Sequence, residues 1–418
     1  MGMKKVVVMA ATVLLLSGQG SLVFSAIPTD PDATYNVTVD VADRLVSNQI
    51  TIGPDAGSWR SEQAYVGSIV PGLVEAYQLT GNEEYKTAAE AGGEWILANG
   101  TSCNFYGDEA YALMRLSEIS CDPEDNQWRT ALAAFFECVR GQPAYPPYVE
   151  AGTVGYIKAF AYGTDVTTAV FYLSHLTRAA YYVDAVDKAV WRDWTIHFLA
   201  QVDDDADMNV MPVMALGVAT WAIAETGPLD NTPVKIFGTG VPYWNFKHLS
   251  DLPTILQSHR SPTTVFLFGG SFYYRFDHQF GCGYTEDNIY GLMGLKAAQE
   301  RDPSLNFEED IKIVRAKLLE ARDDEGYVYG HVDHDIIPNY KYYHFSGEFL
   351  GGIGKVAYRG DIDLDDSVDF DDMTAMAESW LWTSDTCVYG INVSDVNRDG
   401  IVNFLDFALL AQNLYKSY

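Results

Sequence analysis

The chain has 418 residues, of which 48% are hydrophobic, so it is long enough for one large or two ordinary domains around a sizeable core. Its 57 acidic residues outnumber its 27 basic ones, and the formal net charge of −30 at pH 7 argues against nucleic acid or an anionic membrane surface as a partner. The five cysteines are an odd number, which leaves at least one without a partner in the chain, and the sequence does not decide whether Cys103 pairs with Cys121 or Cys138.

Residues 1–26 have the pattern of a secretory signal peptide. Lys4 and Lys5 precede an apolar core at residues 6–16, and small residues up to Ala26 suit cleavage. The core is shorter than a transmembrane helix requires, although an uncleaved membrane anchor is the alternative. No later segment is an uninterrupted apolar span. We therefore predict a protein that is secreted or held at the cell surface, without a membrane span in its mature form.

Helical periodicity dominates the chain after the signal. Apolar residues at three- and four-residue spacing predict a helical hairpin from residues 61–79 and 83–97, which are separated by Thr80-Gly81-Asn82. Further hairpins are predicted from residues 108–119 with 127–140, 165–182 with 183–201, and 288–300 with 307–322, and single helices from residues 209–225 and 345–358. About six such hairpins would close a ring.

An internal repeat supports the ring. Three predicted helices begin with an acidic residue followed three positions later by a tyrosine: Glu62 with Tyr65, Asp108 with Tyr111, and Asp287 with Tyr290. Helical repeats bury their apolar faces against neighbouring repeats. The repeated hairpins, the Gly-Asn turns and the aromatic-rich inner helices resemble the (α/α) toroids of six-hairpin glycosidases and of several polysaccharide lyases. The resemblance covers residues 59–358 and is architectural, since no motif that defines the catalysis of either group occurs there.

Acidic residues open the predicted inner helices, and in a toroid these helix starts meet at one end of the ring. They are Glu62, Asp108, Glu109, Asp165, Glu286, Asp287 and Glu348. Glycoside hydrolysis needs one protonated and one ionised carboxyl group on either side of the scissile bond. We predict Asp108, Asp165 and Asp287 as catalytic residues and Glu62 as a substrate-binding residue. The alternative for each is helix capping, because acids at helix starts accept from free backbone N–H groups.

Residues 226–285 lack a clear helical pattern. Within them, residues 263–268 and 271–276 flank Gly269-Gly270, which predicts a small β-hairpin. His278 follows as a further catalytic candidate, and Tyr274 and Arg275 are candidates for substrate binding. A polysaccharide lyase would use such a set, with an imidazole as base and an arginine that neutralises a uronate carboxylate. The alternative is a hairpin that packs on one face of the ring.

Two copies of one acidic pattern, at residues 361–372 and 395–406, predict two bound calcium ions. Oxygen-bearing side chains fall at loop positions one, three, five, nine and twelve, as in an EF-hand loop, and position seven supplies a backbone carbonyl or hydroxyl. The predicted ligands are Asp361, Asp363, Asp365, Ser367, Asp369 and Asp372 in the first loop, and Asp395, Asn397, Asp399, Ile401, Asn403 and Asp406 in the second. Position six is Gly400 in the second loop but Asp366 in the first, although its left-handed turn suits glycine better.

The paired loops, the apolar run after each, and Asp rather than Glu at position twelve resemble a type I dockerin. The resemblance covers residues 360–418 and implies a small all-α domain, bound calcium and a cohesin-type protein partner. One departure is that the pairs Phe370-Asp371 and Phe404-Leu405 differ from the Ser/Thr pair familiar in clostridial dockerins.

The sequence thus predicts a mainly α protein in three parts. Residues 1–26 are the signal peptide, residues 27–358 an (α/α) toroid with a small β-hairpin insertion, and residues 359–418 a dockerin-like calcium-binding domain. The predicted function is polysaccharide degradation by a glycoside hydrolase with paired carboxylates. Two alternatives stay open: a polysaccharide lyase acting on uronate-containing glycans, and a non-catalytic carbohydrate-binding or structural component of a surface assembly.

Overall fold

Almost all regular structure in this chain is α-helical. The computed structural model describes residues 30–100, 103, 105–141, 166–202, 212–236, 240–260, 283–332, 341–356, 360–383, 394–396 and 401–417. Between these residues the β pairing consists of isolated bridges. The chain divides into one unit made of residues 1–40, 76–83 and 357–418, and a larger unit made of residues 41–75 and 84–356.

Among the residues described, twelve α-helices precede the C-terminal segment and alternate between an outer and an inner position. The outer helices are α1 (Thr34–Asn48), α3 (Glu83–Asn99), α5 (Gln127–Arg140), α7 (Lys188–Leu199), α9 (Leu252–Ser258) and α11 (Glu308–Glu320). The inner helices are α2 (Val66–Thr80), α4 (Gly107–Glu118), α6 (Val166–Tyr182), α8 (Val213–Thr226), α10 (Thr285–Arg301) and α12 (Tyr343–Val356). Successive inner helices from α4 to α12 pack on one another, so the predicted ring of helical hairpins is confirmed.

The apolar pattern of each helix decides its position. Helix α8 buries 11 of its 14 residues, as expected of a helix that is apolar all round. Outer helix α5 buries one stripe, with Trp128, Leu132 and Phe135 at three- and four-residue spacing, and leaves its other face accessible. The ring core is therefore contributed by the inner helices and by one face of each outer helix.

Glycines close the ring between its first and last inner helices. A Cβ atom on Gly72 of α2 would lie 2.1 Å from the carbonyl oxygen of Gly347 on α12, and one on Gly347 would lie 2.4 Å from Cα of Ile69. Only residues without a side chain allow two helix backbones to approach so closely. Gly217 plays the same part between α8 and α10, where a Cβ would lie 2.4 Å from the carbonyl oxygen of Tyr290.

Two outer helices were not predicted from the sequence. Helix α1 is rich in Thr and Val, which are weak helix formers, but Val37, Val41 and Leu45 recur every four residues and are fully buried. Helix α9 has only seven residues and lies within residues 226–285, for which no helix was predicted; that expectation was wrong. The predicted β-hairpin at residues 263–276 lies outside the described residues.

The C-terminal segment contains two short helices, α13 (Phe370–Glu378) and α14 (Phe404–Asn413). They surround a small core of Ile362, Val368, Met376, Val402 and Leu410. Each helix begins with a capping box in which the loop's position-nine and position-twelve side chains exchange hydrogen bonds with backbone N–H groups. The helix starts therefore fix two predicted calcium ligands in each loop.

In the larger unit, a disulfide joins Cys103 to Cys138, which decides between the two pairings that the sequence left open for Cys103. Among the residues that can be described, no helix is both long and apolar enough to cross a membrane.

Candidate active site and calcium loops

The acids of the inner helices meet at a cavity inside the larger unit. The lining residues are Gly67, Ser68, Pro71, Glu75, Asp108, Tyr111, Arg115, His175, Tyr290, Met293, Gly347, Glu348, Gly351 and Lys355. They come from α2, α4, α6, α10 and α12. Two acids that the sequence singled out, Asp108 and Glu348, are among them, and they belong to helices on either side of α2 in the ring.

Ser68 links these two acids. Its hydroxyl donates to Oδ2 of Asp108 at 3.2 Å and also hydrogen-bonds with Glu348, which has a second partner in the phenol of Tyr290. The other oxygens, Oδ1 of Asp108 and Oε2 of Glu348, are buried and have no hydrogen-bond partner among the described residues. Buried carboxylate oxygens without partners are costly and are uncommon in cores. Each carboxyl group thus keeps one oxygen available for a ligand.

Burial and mutual repulsion disfavour ionisation of both groups. Burial, followed by the neighbouring charge of Glu109, raises the pKa of Asp108 from 3.8 to about 7. Burial, followed by repulsion from Glu286, raises the pKa of Glu348 well above its ordinary value. Burial likewise raises the pKa of Glu286. Glu348 is therefore the better placed of the two to hold a proton, while the carboxyl group of Asp108 titrates near neutral pH.

Asp287, also predicted as a catalytic residue, binds a different part of the protein. Its Oδ1 accepts from the backbone N–H of Met214 at 2.8 Å, so it caps the start of α8. Its Oδ2 is buried with no partner among the described residues, and burial raises its pKa well above the usual range. Asp287 is not among the residues that line the cavity. The structure thus brings Asp108 together with Glu348 rather than with Asp287.

Glu62, predicted to bind substrate, uses both oxygens within the protein. Oε1 accepts from the backbone N–H of Tyr343 at 2.8 Å, and Oε2 accepts from the backbone N–H and from Nδ1 of His344, each at 2.9 Å. It therefore caps α12 and orients the imidazole of His344, whose Nε2 lies 3.9 Å from Oε1 of Glu286. For Glu62 the geometry favours the capping alternative.

Four predicted site residues, Asp165, His278, Tyr274 and Arg275, lie outside the described residues, as do the calcium ligands Asn397 and Asp399.

A network of paired charges lies further along the inner helices. Arg115 pairs with Glu75 at 2.6 Å and with Glu118 at 3.3 Å. Arg178 pairs with Glu225, and burial lowers the pKa of Lys355 in the same region. Because both arginines have acidic partners, these ion pairs help to hold the floor of the cavity in place.

Sequence reasoning missed the roles of Ser68 and Tyr290, and it did not select Glu348 for catalysis. One signal for Glu348 was present. It lies in the second turn of an apolar helix and is flanked by Gly347 and Phe349, where helix capping cannot explain an acid. No comparable signal marks Ser68.

The first calcium loop brings three predicted ligands together. Carboxylate oxygens of Asp361, Asp363 and Asp372 lie within 4.8 Å of one another. Burial and mutual repulsion raise the pKa of Asp363 to about 7 and that of Asp372 to about 6. Clustered carboxylates of this kind suit a hard cation such as Ca²⁺, which takes six to eight oxygen ligands.

Asp366, at position six of this loop, adopts the left-handed conformation expected there, with φ of +71°. Its Oδ1 accepts from the hydroxyl of Thr34 at 2.6 Å, in the same unit. The neighbouring Leu364, also at positive φ, accepts from the N–H of Tyr35 at 3.2 Å. Asp366, at a loop position that suits glycine better, therefore has a structural role, because its side chain accepts a hydrogen bond at the start of α1.

Comparison with known proteins identifies the C-terminal segment first. Residues 359–415 match the family described as the dockerin type I domain, and the chain carries such a domain at this position. Dockerin type I domains bind calcium. No curated protein matches the sequence at a significant level.

For the larger unit, similarity lies in the fold. An unsaturated glucuronyl hydrolase specific for heparin superposes with a TM-score of 0.52 at 12% identity, over 79% of this chain and 98% of its own. A sugar epimerase from a ruminal bacterium and an inactive variant of an α-1,6-mannanase of Salegentibacter sp. HEL1_6 each give a TM-score of 0.49 at 14% identity. These two cover 77% of this chain and 98% and 99% of their own. The chain therefore combines an (α/α) toroid with a type I dockerin domain.

Proposed function

We propose that this chain is an exported glycoside hydrolase that degrades polysaccharide and is attached to a partner by its dockerin domain. The observation that carries the proposal is the pair Asp108 and Glu348, two buried carboxyl groups linked through Ser68, each with one oxygen available to a ligand. Hydrolysis of a glycosidic bond needs two such groups in different protonation states. Structural similarity to a glucuronyl hydrolase is consistent with this chemistry but supports only the fold.

The two carboxyl groups take different parts. Glu348, whose pKa burial raises well above its ordinary value, acts as the general acid that protonates the leaving oxygen. Asp108, with a pKa of about 7, acts in its ionised form as base or nucleophile. Asp287 then holds the start of α8 rather than the substrate. Asp165 and His278 remain further catalytic candidates, and Tyr274 and Arg275 remain candidates for substrate binding.

Turnover of the full-length chain on a panel of polysaccharides tests the proposal. We expect Asp108→Asn and Glu348→Gln each to lower turnover at least a hundredfold without loss of stability. Asp310→Asn is the matched control, because Asp310 is equally buried but pairs with Arg260 outside the cavity. This control should lose stability and keep its turnover. Full turnover in the Asp108 and Glu348 variants would overturn the assignment.

A polysaccharide lyase is the second candidate, and the contact between Glu62 and His344 favours it. A carboxylate bonded to Nδ1 holds the imidazole in one orientation and leaves Nε2 to act as a base. The products separate the two reactions, since a lyase leaves an unsaturated uronate that absorbs ultraviolet light and a hydrolase releases only reducing ends. Loss of ultraviolet-absorbing product in His344→Ala would establish the lyase.

The dockerin domain indicates a second interaction. We infer one calcium ion in each loop and a cohesin-type protein partner, with the mature protein outside the cell or at its surface. The signal-like residues 1–26 and the disulfide between Cys103 and Cys138 support export, because disulfides persist in oxidising compartments. Calorimetric titration of the full chain should give two calcium ions per molecule. A stoichiometry of one would mean that only one of the two loops binds calcium.

A further inference from the structure

Two tyrosine rings are stacked with the imidazole of His344. The ring of Tyr65 lies 4.3 Å from the imidazole, centroid to centroid, at an interplanar angle of 20°, and that of Tyr342 lies 5.4 Å away at 17°. His344 is 7% exposed, whereas Tyr65 and Tyr342 are 45% and 44% exposed. We call these three residues the aromatic platform.

The protein holds this platform in place. Glu62 bonds to Nδ1 and to the backbone N–H of His344, and it also precedes the short 3₁₀ helix Gln63–Tyr65 that carries the first tyrosine. Phe345 packs against the imidazole at a centroid distance of 4.2 Å and against Tyr342 at 5.6 Å. Because the rings are already ordered, a ligand that stacks on them loses little affinity to the ordering of side chains.

The platform borders the acids of the proposed active site. Nε2 of His344 lies 3.9 Å from Oε1 of Glu286, and Glu286 is the largest charge acting on Glu348. Glu286 thus connects the platform to Glu348, which lines the cavity. Aromatic residues that are exposed, rigid and next to polar groups are typical of binding sites.

We propose that the aromatic platform is a glycan subsite that binds a neutral pyranose ring. The face of a pyranose presents C–H groups, which carry a slight positive charge and pack on the negative face of an aromatic ring. A neutral sugar is favoured over a uronate because Glu62 and Glu286 stand beside the imidazole. Arg115, a cation of the cavity floor, is already paired with Glu75 and Glu118. That the bound sugar is part of the enzyme's substrate rests on the proposed function. That a sugar binds to the platform does not.

Binding is measured on the full-length chain carrying Asp108→Asn, which prevents turnover. The neutral probes are oligosaccharides of an α-1,6-mannan, a β-1,4-glucan and a β-1,4-xylan, and the anionic probe is heparin oligosaccharide. Titration calorimetry should show a neutral probe binding more tightly than heparin. Adding Tyr65→Ala or Tyr342→Ala should weaken that binding by about tenfold. Tyr65→Phe and Tyr342→Phe should keep it, because the ring is retained.

The control is Phe246→Ala, which removes a fully exposed aromatic ring from the larger unit and should leave the affinity unchanged. Tighter binding of heparin than of every neutral probe, or affinity that survives both alanine substitutions, would overturn the proposal. So would a loss of affinity shared by the alanine and phenylalanine variants. A chain that binds a neutral probe through the tyrosines but shows no turnover with Asp108 intact would retain the subsite and refute the proposed hydrolase.

Discussion

The larger unit and the first calcium loop each gather carboxyl groups, but they do so in different ways. In the larger unit, Asp108 and Glu348 come from helices separated by most of the chain and share a cavity lined by both aromatic and charged side chains. In the loop, Asp361, Asp363 and Asp372 lie within twelve residues and accept hydrogen bonds from nearby backbone N–H groups. In both places burial is the largest cause that raises the pKa.

The difference lies in what relieves the repulsion. The loop offers many oxygens around one point, as a divalent cation requires. The larger unit offers one available oxygen on each of two acids and places the hydroxyl of Ser68 between them, so uptake of a proton relieves the repulsion. We therefore expect the loop to respond mainly to calcium and the ring acids mainly to pH.

Chelation should give the largest effect. Removing calcium should unfold residues 360–417, because Asp361, Asp363 and Asp372 then repel one another without a cation. At a calcium concentration a thousand times the Kd, binding contributes about 4 kcal/mol to the free energy of unfolding. Hydrogen exchange should lose protection in α13 and α14 and keep it in α8 and α10. A chelator saturated with calcium is the control, and unchanged protection in α13 would contradict the expectation.

Neutralising the ring acids should affect activity and stability in opposite directions. In Glu348→Gln the turnover should fall at least a hundredfold. The melting temperature should hold or rise, because the amide removes a buried group that repels Glu286 and Asp108. Differential scanning calorimetry of the variant checks this. A clear fall in melting temperature would mean that Glu348 is chiefly structural.

The stability of the larger unit should decrease as pH rises. The folded protein keeps the proton of Asp108 up to a pKa of about 7, whereas the unfolded chain releases it near 3.8. This proton therefore stabilises the folded state at acid pH, and its contribution is lost as pH rises from about 4 to about 7. Urea unfolding between pH 5 and pH 8 measures the slope, and Asp108→Asn should flatten it. An equal slope in the variant would contradict the assignment.

The smallest effect concerns position six of the first calcium loop. Asp366→Ala should destabilise the loop more than Asp366→Gly, by about 1 kcal/mol, because only glycine adopts φ of +71° without steric cost. Both variants lose the hydrogen bond from Thr34. Calcium titrations of the two full-length variants should differ by about fivefold in the affinity of one site. Equal affinities would show that the backbone strain at this residue is negligible.

Features that depend on residues close together in the sequence could be predicted, whereas features that depend on residues far apart in the sequence could not. All ligands of the first calcium loop lie within twelve consecutive residues. The spacing of Asp361, Asp363 and Asp372 and the left-handed turn at Asp366 could therefore be predicted from the sequence. The helical hairpins are local too, since periodicity and turn residues specify them. The pairing of Asp108 with Glu348 could not be predicted from the sequence, because it depends on which inner helices become neighbours when the ring closes. The positions of Ser68 and His344 beside those acids depend on the same event.

The closure of the ring also sets the order of events during synthesis. The backbone of Gly72 must meet that of Gly347, and the carboxylate of Glu62 must reach an N–H group 281 residues later in the chain. At about 5 to 20 residues per second, a ribosome needs on the order of 15 to 55 s to make that stretch. The first helices therefore expose an apolar edge until the last inner helix has been synthesised and packs against it. A nascent chain of this protein has a long period in which it depends on chaperones, and a truncation before α12 would leave that edge exposed permanently.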